Sequence, residues 1–161
     1  MAKDKYPTTP AVRQLKDSNV EFDSYIYDYE EKGGTAQSAK ELNVSENAVI
    51  KTLIFSADGN IICVLMHGDM EVSVKELARK LNVKTVLPCD EKTATNHTGY
   101  KFGGTSPFGL RKSLPVYAES SIFKLDKIYI NGGKQGYLFG INPNILKTLL
   151  KAEEINVAII K

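Results

Sequence analysis

Residues 48–67 read AVIKTLIFSADGNIICVLMH and form the centre of the predicted fold. Two runs rich in β-branched and aliphatic residues, 48–55 and 61–67, lie on either side of ADGN, residues 57–60. Such runs are typical of buried strands, and Asp-Gly between them indicates a tight hairpin turn. The stretch therefore predicts two neighbouring antiparallel strands inside a sheet.

The first of these strands carries a lysine in an apolar run. Because side chains alternate along a strand, Lys51 shares one face with Val49, Leu53 and Phe55. An ammonium on an apolar face is costly unless it reaches water or meets an anion. Two interpretations follow: Lys51 lies near the strand end and extends into solvent, or it lies at the mouth of a pocket that binds a phosphate or another polar ligand. Spacing alone does not separate them.

A glycine-rich segment follows in the second half of the chain, where residues 100–110 read YKFGGTSPFGL. Glycines let backbone N–H groups approach a ligand and adopt positive φ, and Ser106 is pushed toward an extended or turn conformation by the proline that follows it. Such a loop can direct several N–H donors at one oxyanion or carbonyl oxygen. On composition alone, an ordinary surface turn is the commoner outcome.

Length and composition indicate one soluble globular domain over residues 1–161. Of the residues, 42% are hydrophobic and 25% are charged, and the formal net charge is only +2. This charge is too small to indicate nucleic-acid binding, so any basic patch must come from local clustering. The N-terminal segment has no apolar signal region, no run reaches membrane-spanning length, and two cysteines without a CxxC motif are typical of a cytoplasmic protein with reduced thiols.

The remaining pattern predicts an α/β fold with a mixed sheet and helices packed outside it, rather than a purely parallel doubly wound fold. After a short polar lead at 1–8, Thr9 caps the first helix, Ser73 and Asp90 cap later ones, and residues 131–136 form a tight turn between two strands. The predicted helices are 11–18, 35–42, 74–81, 91–97 and 143–151, and the other strands are 22–29, 83–88, 114–120, 126–132, 137–141 and 155–160.

Several kinds of site are disfavoured. The row of Tyr25, Tyr27 and Tyr29 could form the bottom of a ligand site, but such a row more commonly packs in the core or on a half-exposed sheet face. The cysteines and histidines have no compact ligand spacing, so neither a metal nor a cofactor is expected. A Walker loop, a dinucleotide fingerprint and a catalytic triad are not visible.

Four motifs occur together in one order: TPAV (9–12), VIKTLIF (49–55), TGYKFGGTSPFG (98–109) and KIYINGGKQG (127–136). In this combination, which spans nearly the whole chain, the sequence resembles the YbaK/EbsC family of free-standing aminoacyl-tRNA deacylases. That family is related to the editing domain inserted in bacterial prolyl-tRNA synthetases. The resemblance implies the editing-domain fold, with a strongly curved, barrel-like mixed sheet, surrounding helices and a pocket on one side.

The resemblance also implies site residues. It marks Lys51 as indispensable, with Thr52 beside it, and Tyr27 or Tyr29 at the pocket border. The family's glycine loop corresponds to Gly103, Gly104, Thr105, Ser106 and Pro107, with Lys51, Gly103, Gly104 and Ser106 expected in the catalytic set. Asn131, where members that act on cysteine carry a serine, is expected to contact the substrate along with Tyr27, Tyr29, Thr52, Thr105 and Pro107. Those members also carry an acid at the position of Leu138, and its absence here puts the cysteine preference in doubt.

The expected activity is hydrolysis of the ester that links a wrong amino acid to tRNA, with Cys-tRNA(Pro) as the first expected substrate. The alternatives are a deacylase for alanine or another small residue on tRNA, and a non-catalytic protein that binds aminoacyl-tRNA or a nucleotide. Expected partners are proline tRNA, bound in part through Lys101, Arg111 and Lys112, and prolyl-tRNA synthetase in a transient complex. The oligomeric state stays open.

Overall fold

The computed structural model describes residues 6–161, so most of the predicted polar lead lies outside the described residues. The helices are α1 (Pro10–Asp17), α2 (Gly34–Leu42), α3 (Val74–Leu81), α4 (Glu91–Thr98) and α5 (Ile145–Leu150), with short 3₁₀ turns at Glu46–Ala48 and Ser120–Lys124. The strands are β1 (Asp23–Ile26), β2 (Val49–Ala57), β3 (Asn60–His67), β4 (Met70–Val72), β5 (Val86–Pro88), β6 (Val116–Glu119), β7 (Ile128–Lys134), β8 (Tyr137–Ile141), β9 (Glu153–Ile155) and β10 (Ala158–Ile160).

The main sheet mixes parallel and antiparallel pairs, as predicted. Its strands follow the order β1-β8-β7-β2-β3-β6-β9, β5 adds to β2 outside this path, and β4 pairs with β10 in a separate ribbon. Strand β2 is antiparallel to β3 and β5 but parallel to β7. Among the described strands, β1 and β9 end the sheet without pairing to each other, so the barrel-like closure is not confirmed. Strong curvature stays a prediction.

The hairpin at the centre of the sheet is confirmed. Residues 50–57 of β2 pair with residues 60–67 of β3 without interruption. Asp58 and Gly59 join the strands at φ values of 49° and 89°, which fits the left-handed geometry of a type I′ turn.

Side-chain caps begin three of the helices where the sequence predicts them. Thr9, Ser73 and Asp90 each accept the backbone N–H three residues on, at 3.1, 3.2 and 2.7 Å. These bonds satisfy donors that the first turn of a helix leaves unpaired. None of the helices in residues 6–161 has the length and apolar character needed to cross a lipid bilayer.

Two hydrophobic clusters cover the two faces of β2, which confirms its period of two. Ile50 belongs to the cluster that packs under α1, together with Leu65. Phe55 belongs to the second cluster, together with Leu77 of α3. Lys51 therefore lies on the face of the second cluster.

Three predicted strands differ from the structure. The strand expected over 22–29 ends at Ile26, because its partner β8 begins at Tyr137 and only the bond from the Tyr27 N–H to the Gly136 carbonyl extends the pairing. The strand expected over 83–88 is reduced to β5. The segment 155–160 is divided between β9 and β10, which belong to different sheets, and β4 was not predicted.

The predicted turn over 131–136 is also wrong in extent. Strand β7 continues to Lys134 through a bulge, and only Gln135 and Gly136 form the turn into β8. The last helix begins at Ile145 rather than at Pro143, although the Asn142 side chain still accepts the N–H of Asn144 at 2.9 Å.

Candidate active site

The pairing of β2 is interrupted on the edge that faces away from β3. On this edge β2 pairs with β7 at Val49 and Ile50 and with β5 at residues 55–57. No described strand pairs with the four residues between them, 51–54. The sheet therefore has a gap beside the lysine-bearing segment.

The ladder geometry determines which backbone groups face this gap. The N–H of Gly68, next to β3, bonds to the Val49 carbonyl at 2.7 Å, and on the other edge the N–H of Cys89 bonds to the Ile54 carbonyl at 3.0 Å. Because antiparallel strands alternate bonded and non-bonded pairs, even-numbered residues of β2 direct their backbone groups away from β3. The N–H and carbonyl of Thr52 therefore point into the gap.

A cavity of about 530 Å³ lies at the gap, within the usual size range of small-molecule sites. Its wall combines β2, α2, the chain after β1, the glycine loop and the β7–β8 hairpin. Seven of the ten predicted site residues line it: Tyr27, Tyr29, Lys51, Thr52, Gly103, Thr105 and Asn131.

Lys51 is partly buried on the cavity wall, which favours the pocket interpretation over a solvent-exposed lysine. Its ammonium donates a hydrogen bond to the carbonyl of Met70. Burial lowers the pKa of Lys51 below its ordinary value, and the positive charge of Lys161 lowers it further. Three acidic neighbours oppose this shift in pKa: Glu71, Glu46 and Asp69.

Thr52 adds a polar atom with no partner. Its Oγ1 is buried and has no hydrogen-bond partner within residues 6–161. A buried hydroxyl without a partner costs free energy that ordinary folding avoids. Thr52 thus brings a backbone N–H and carbonyl to the cavity wall, beside a buried hydroxyl that has no partner.

The glycine loop presents its backbone to the same cavity. Gly103 and Thr105 line the wall, and Gly103 has a φ of +83°, which favours glycine. The Gly104 N–H bonds to the Lys101 carbonyl at 2.9 Å, so it is used inside the loop. Across the described residues, the structure gives no acceptor for the N–H groups of Gly103 and Thr105.

The other predicted loop residues lie behind the wall. Ser106 is fully buried, and its Oγ accepts the N–H of Phe108 at 3.3 Å. Pro107 is buried as well. A Cβ on Gly104 would lie 2.8 Å from the backbone nitrogen of Gln135, so this glycine allows close packing of the loop on the hairpin. These three residues pack behind the cavity wall and do not line it, and their roles in catalysis and substrate binding stay predictions.

The three tyrosines of the predicted row separate. Tyr25 lies on β1, where its hydroxyl accepts a hydrogen bond from the Lys127 ammonium at 2.9 Å. Tyr27 and Tyr29 follow the end of the strand and line the cavity. The Tyr27 hydroxyl accepts a hydrogen bond from Ser38 Oγ of α2 at 2.9 Å. Nothing in the sequence pattern around Ser38 indicates this contact.

Asn131 connects the loop to the hairpin. Its Nδ2 donates to the carbonyls of Gly103 and Lys134 at 3.1 and 3.2 Å, and its Oδ1 accepts the N–H of Gly133 at 2.6 Å. Leu138 lies on the same wall and is 4% exposed, so an apolar side chain occupies the position of the expected acid. The amide of Asn131 is thus occupied by protein contacts.

The thiols are poor nucleophiles in this structure. Burial raises the pKa of Cys63 to about 12. Cys89 borders the cavity, and its pKa is raised by burial and by Asp90. The described residues include no group of three His, Cys, Asp or Glu side chains placed to hold a metal ion.

Comparisons with known proteins find a matching family model and similar sequences. Residues 30–149 match the family model described as "Aminoacyl-tRNA editing domain". The chain is 28% identical over 157 residues, 95% of each protein, to the "Putative Cys-tRNA(Pro)/Cys-tRNA(Cys) deacylase EbsC" of Enterococcus faecalis (strain ATCC 700802 / V583). It is 33% identical over 103 residues to a proline–tRNA ligase of Moorella thermoacetica (strain ATCC 39073 / JCM 9320), a match that covers 63% of the chain but only 18% of the ligase.

A solved structure shares the fold. It is described as a "putative trans-editing enzyme for prolyl tRNA synthetase" and superposes with a TM-score of 0.82 at 17% identity, covering 95% of this chain and 99% of the other.

Proposed function

The chain belongs to the family of aminoacyl-tRNA editing domains, and on that premise we propose that it is a free-standing editing hydrolase. It removes a wrongly attached amino acid from tRNA, and the first proposed substrate is Cys-tRNA(Pro). The observation that carries this proposal is the convergence of Lys51, Thr52 and Gly103 on one cavity. The proposed partners are proline tRNA and prolyl-tRNA synthetase, the latter in a transient complex. The proposed location is the cytoplasm.

The proposed chemistry needs no triad, because an aminoacyl ester is already activated. The N–H groups of Gly103 and Thr105 hold the carbonyl oxygen and stabilise the negative charge that develops on it. The ammonium of Lys51 exchanges its bond to the Met70 carbonyl for one to a phosphate or hydroxyl of the terminal nucleotide. Thr52 supplies its unpartnered hydroxyl to the same nucleotide.

The nucleophile differs with the amino acid. A cysteine ester is attacked by its own thiolate at the carbonyl carbon. The bond to the ribose oxygen breaks, that oxygen takes up a proton, and a cyclic thioester leaves for later hydrolysis. An alanine ester requires water, which releases alanine and the free ribose hydroxyl. Leu138, in place of an acid, favours a small apolar amino acid such as alanine as the second candidate.

Binding of the tRNA body is proposed to rest on phosphate contacts. Lys101, Arg111 and Lys112 are exposed on and beside the glycine loop. Since cation–phosphate contacts release counterions, affinity for tRNA should fall steeply as salt rises.

The test compares the wild type with Lys51→Ala on Cys-tRNA(Pro) and Ala-tRNA(Pro), with Lys75→Ala as the control because Lys75 is an exposed lysine that does not line the cavity. We expect Lys51→Ala to lose roughly 1,000-fold in single-turnover rate while retaining its circular-dichroism spectrum. Loss of the alanine ester alone would assign the protein to alanine editing. Stoichiometric binding of charged tRNA without hydrolysis would contradict the enzyme and favour a binding protein.

A further inference from the structure

An exposed aromatic ring stands at the cavity. Phe102 is 44% exposed and is the one aromatic side chain among the exposed large hydrophobic residues of the described chain. It also lines the cavity that holds Lys51 and Thr52. Exposed phenylalanine keeps apolar surface in water, a cost that binding proteins commonly offset when a ligand covers the ring.

The backbone that carries this ring is held from two sides. Gln135 Nε2 donates to the carbonyl of Phe102 at 2.9 Å, and Asn131 Nδ2 donates to the carbonyl of Gly103 at 3.1 Å. On the other side, a Cβ on Gly103 would lie 2.3 Å from the Tyr29 hydroxyl oxygen, so the loop packs closely on that ring. The position of Phe102 is therefore preorganised before a ligand arrives, which lowers the entropic cost of binding.

The surroundings of the ring suit a nucleotide. Lys32 and Lys51 border the same cavity, and Lys101, next to Phe102 in sequence, is exposed. Positive charge beside an accessible aromatic face is the combination with which proteins bind unpaired nucleotides, because the base stacks while cations contact the phosphates.

We infer that Phe102 is the stacking platform for the terminal base of the aminoacylated tRNA. This inference rests on the proposed function: the ester lies against Gly103 and Thr105, and the adenine on the same ribose lies against the ring of Phe102. Phe102 is thus a substrate-binding residue that raises affinity for the tRNA end. Its ring contacts the face of the base and not the hydrogen-bonding edge. Stacking of this kind selects an unpaired 3′ end without selecting one tRNA over another.

The test uses a probe that is not an ester. It is the dinucleotide CpA with alanine joined to the terminal adenosine through a 3′-amide, compared with the same probe lacking the adenine base. We expect Phe102→Leu to raise the Kd of the adenine probe roughly 10- to 30-fold. Phe102→Tyr should keep wild-type affinity. All three proteins should bind the base-free probe equally, and Val74→Ala, which truncates a similarly exposed apolar side chain (41%) outside the cavity lining, should change neither Kd.

Nuclear Overhauser contacts between the Phe102 ring and the adenine protons, absent in Phe102→Leu, provide a structural readout. The inference is overturned if Phe102→Leu weakens both probes equally or neither of them while the wild type deacylates charged tRNA. If the wild type binds neither probe and hydrolyses no aminoacyl-tRNA, the proposed function fails and the inference fails with it.

Discussion

The two edges of β2 have opposite roles in this molecule. On one edge, residues 50–57 pair with β3 without interruption and form the centre of the sheet. On the other edge, β7 pairs at Val49 and Ile50, β5 pairs at residues 55–57, and a cavity occupies the space between them. The same nine residues thus build the core with one edge and the candidate site with the other.

The difference shows how the site is maintained. Unpaired backbone groups and an orphan hydroxyl at Thr52 are costly when water is excluded. The gap persists because β7 and β5 fix the edge at both ends and the long pairing with β3 holds the strand in place. Pairing with β3 therefore offsets the free-energy cost of the unpaired groups on the open edge, and those groups stay available to bind a ligand.

The largest effect on stability is expected from the paired edge. Ile62 lies on β3 and is 3% exposed in the second hydrophobic cluster. Ile62→Ala should lower the free energy of unfolding by about 3 kcal/mol, because it removes buried methyl groups and leaves a cavity. Deacylation per folded molecule should stay within twofold of wild type, measured below the unfolding transition. A large loss of turnover in fully folded protein would contradict the separation of the two edges.

The connection between loop and hairpin is expected to have an intermediate effect. Asn131→Ala removes the bonds to Gly103 and Gly133, and should cost about 2 kcal/mol of stability and roughly tenfold in kcat. Denaturant titration and single-turnover kinetics measure the two changes. Asn142→Ala is the matched control, since within residues 6–161 the Asn142 side chain bonds only to the N–H of Asn144 at its own helix start. Unchanged kcat in Asn131→Ala would remove this residue from the positioning of the loop.

At Thr52, on the open edge, we expect one substitution to raise stability and lower activity. Thr52→Val replaces the unpartnered hydroxyl with a methyl group of similar shape. It should raise the free energy of unfolding by about 1 kcal/mol and lower kcat/KM roughly tenfold. Lower stability together with unchanged activity would show that the hydroxyl has a partner inside the protein.

The smallest expected effect is a shift in pH dependence. The charged form of Lys51 is proposed to act, and its pKa is lowered mainly by burial, so activity should fall at alkaline pH as the pH rises through this lowered pKa. Glu71→Gln removes a charge that raises this pKa and should move the fall to lower pH. Rates corrected for spontaneous ester hydrolysis measure the shift, with Glu91→Gln as the control. A shift to higher pH in Glu71→Gln would contradict the assignment.

The paired edge could be predicted from sequence because its signals are local. Asp58-Gly59 and the period of two identify the hairpin without reference to distant residues. The gap could not be predicted in this way, since it depends on where β7, some 80 residues away, and the short β5 stop pairing. For the same reason the end of β1 could not be predicted: pairing stops after Ile26 because the partner strand β8 begins at Tyr137, more than 100 residues later in the chain.

The residues of the candidate site also divide into those with a local sequence signal and those without one. Lys51, Thr52 and Gly103 could be named from their motifs, and they line the cavity. Ser38 lies outside the four motifs, and Gln135 lies inside one without a role assigned to it, yet they hold Tyr27 and the glycine loop through side-chain hydrogen bonds. A side chain whose role depends only on tertiary neighbours gives no periodic or spacing signal.

Hydrogen exchange at individual amides of β2 tests the account most directly. We predict that, without ligand, the Thr52 N–H exchanges at least tenfold faster than the N–H groups of Lys51 and Leu53, which face β3. Saturation with the amide-linked alanyl CpA probe should slow exchange at Thr52 and leave its two neighbours unchanged. A Thr52 amide that is as protected as its neighbours without ligand, or that is unaffected by saturating probe, would contradict the claim that the open edge of β2 is the substrate site.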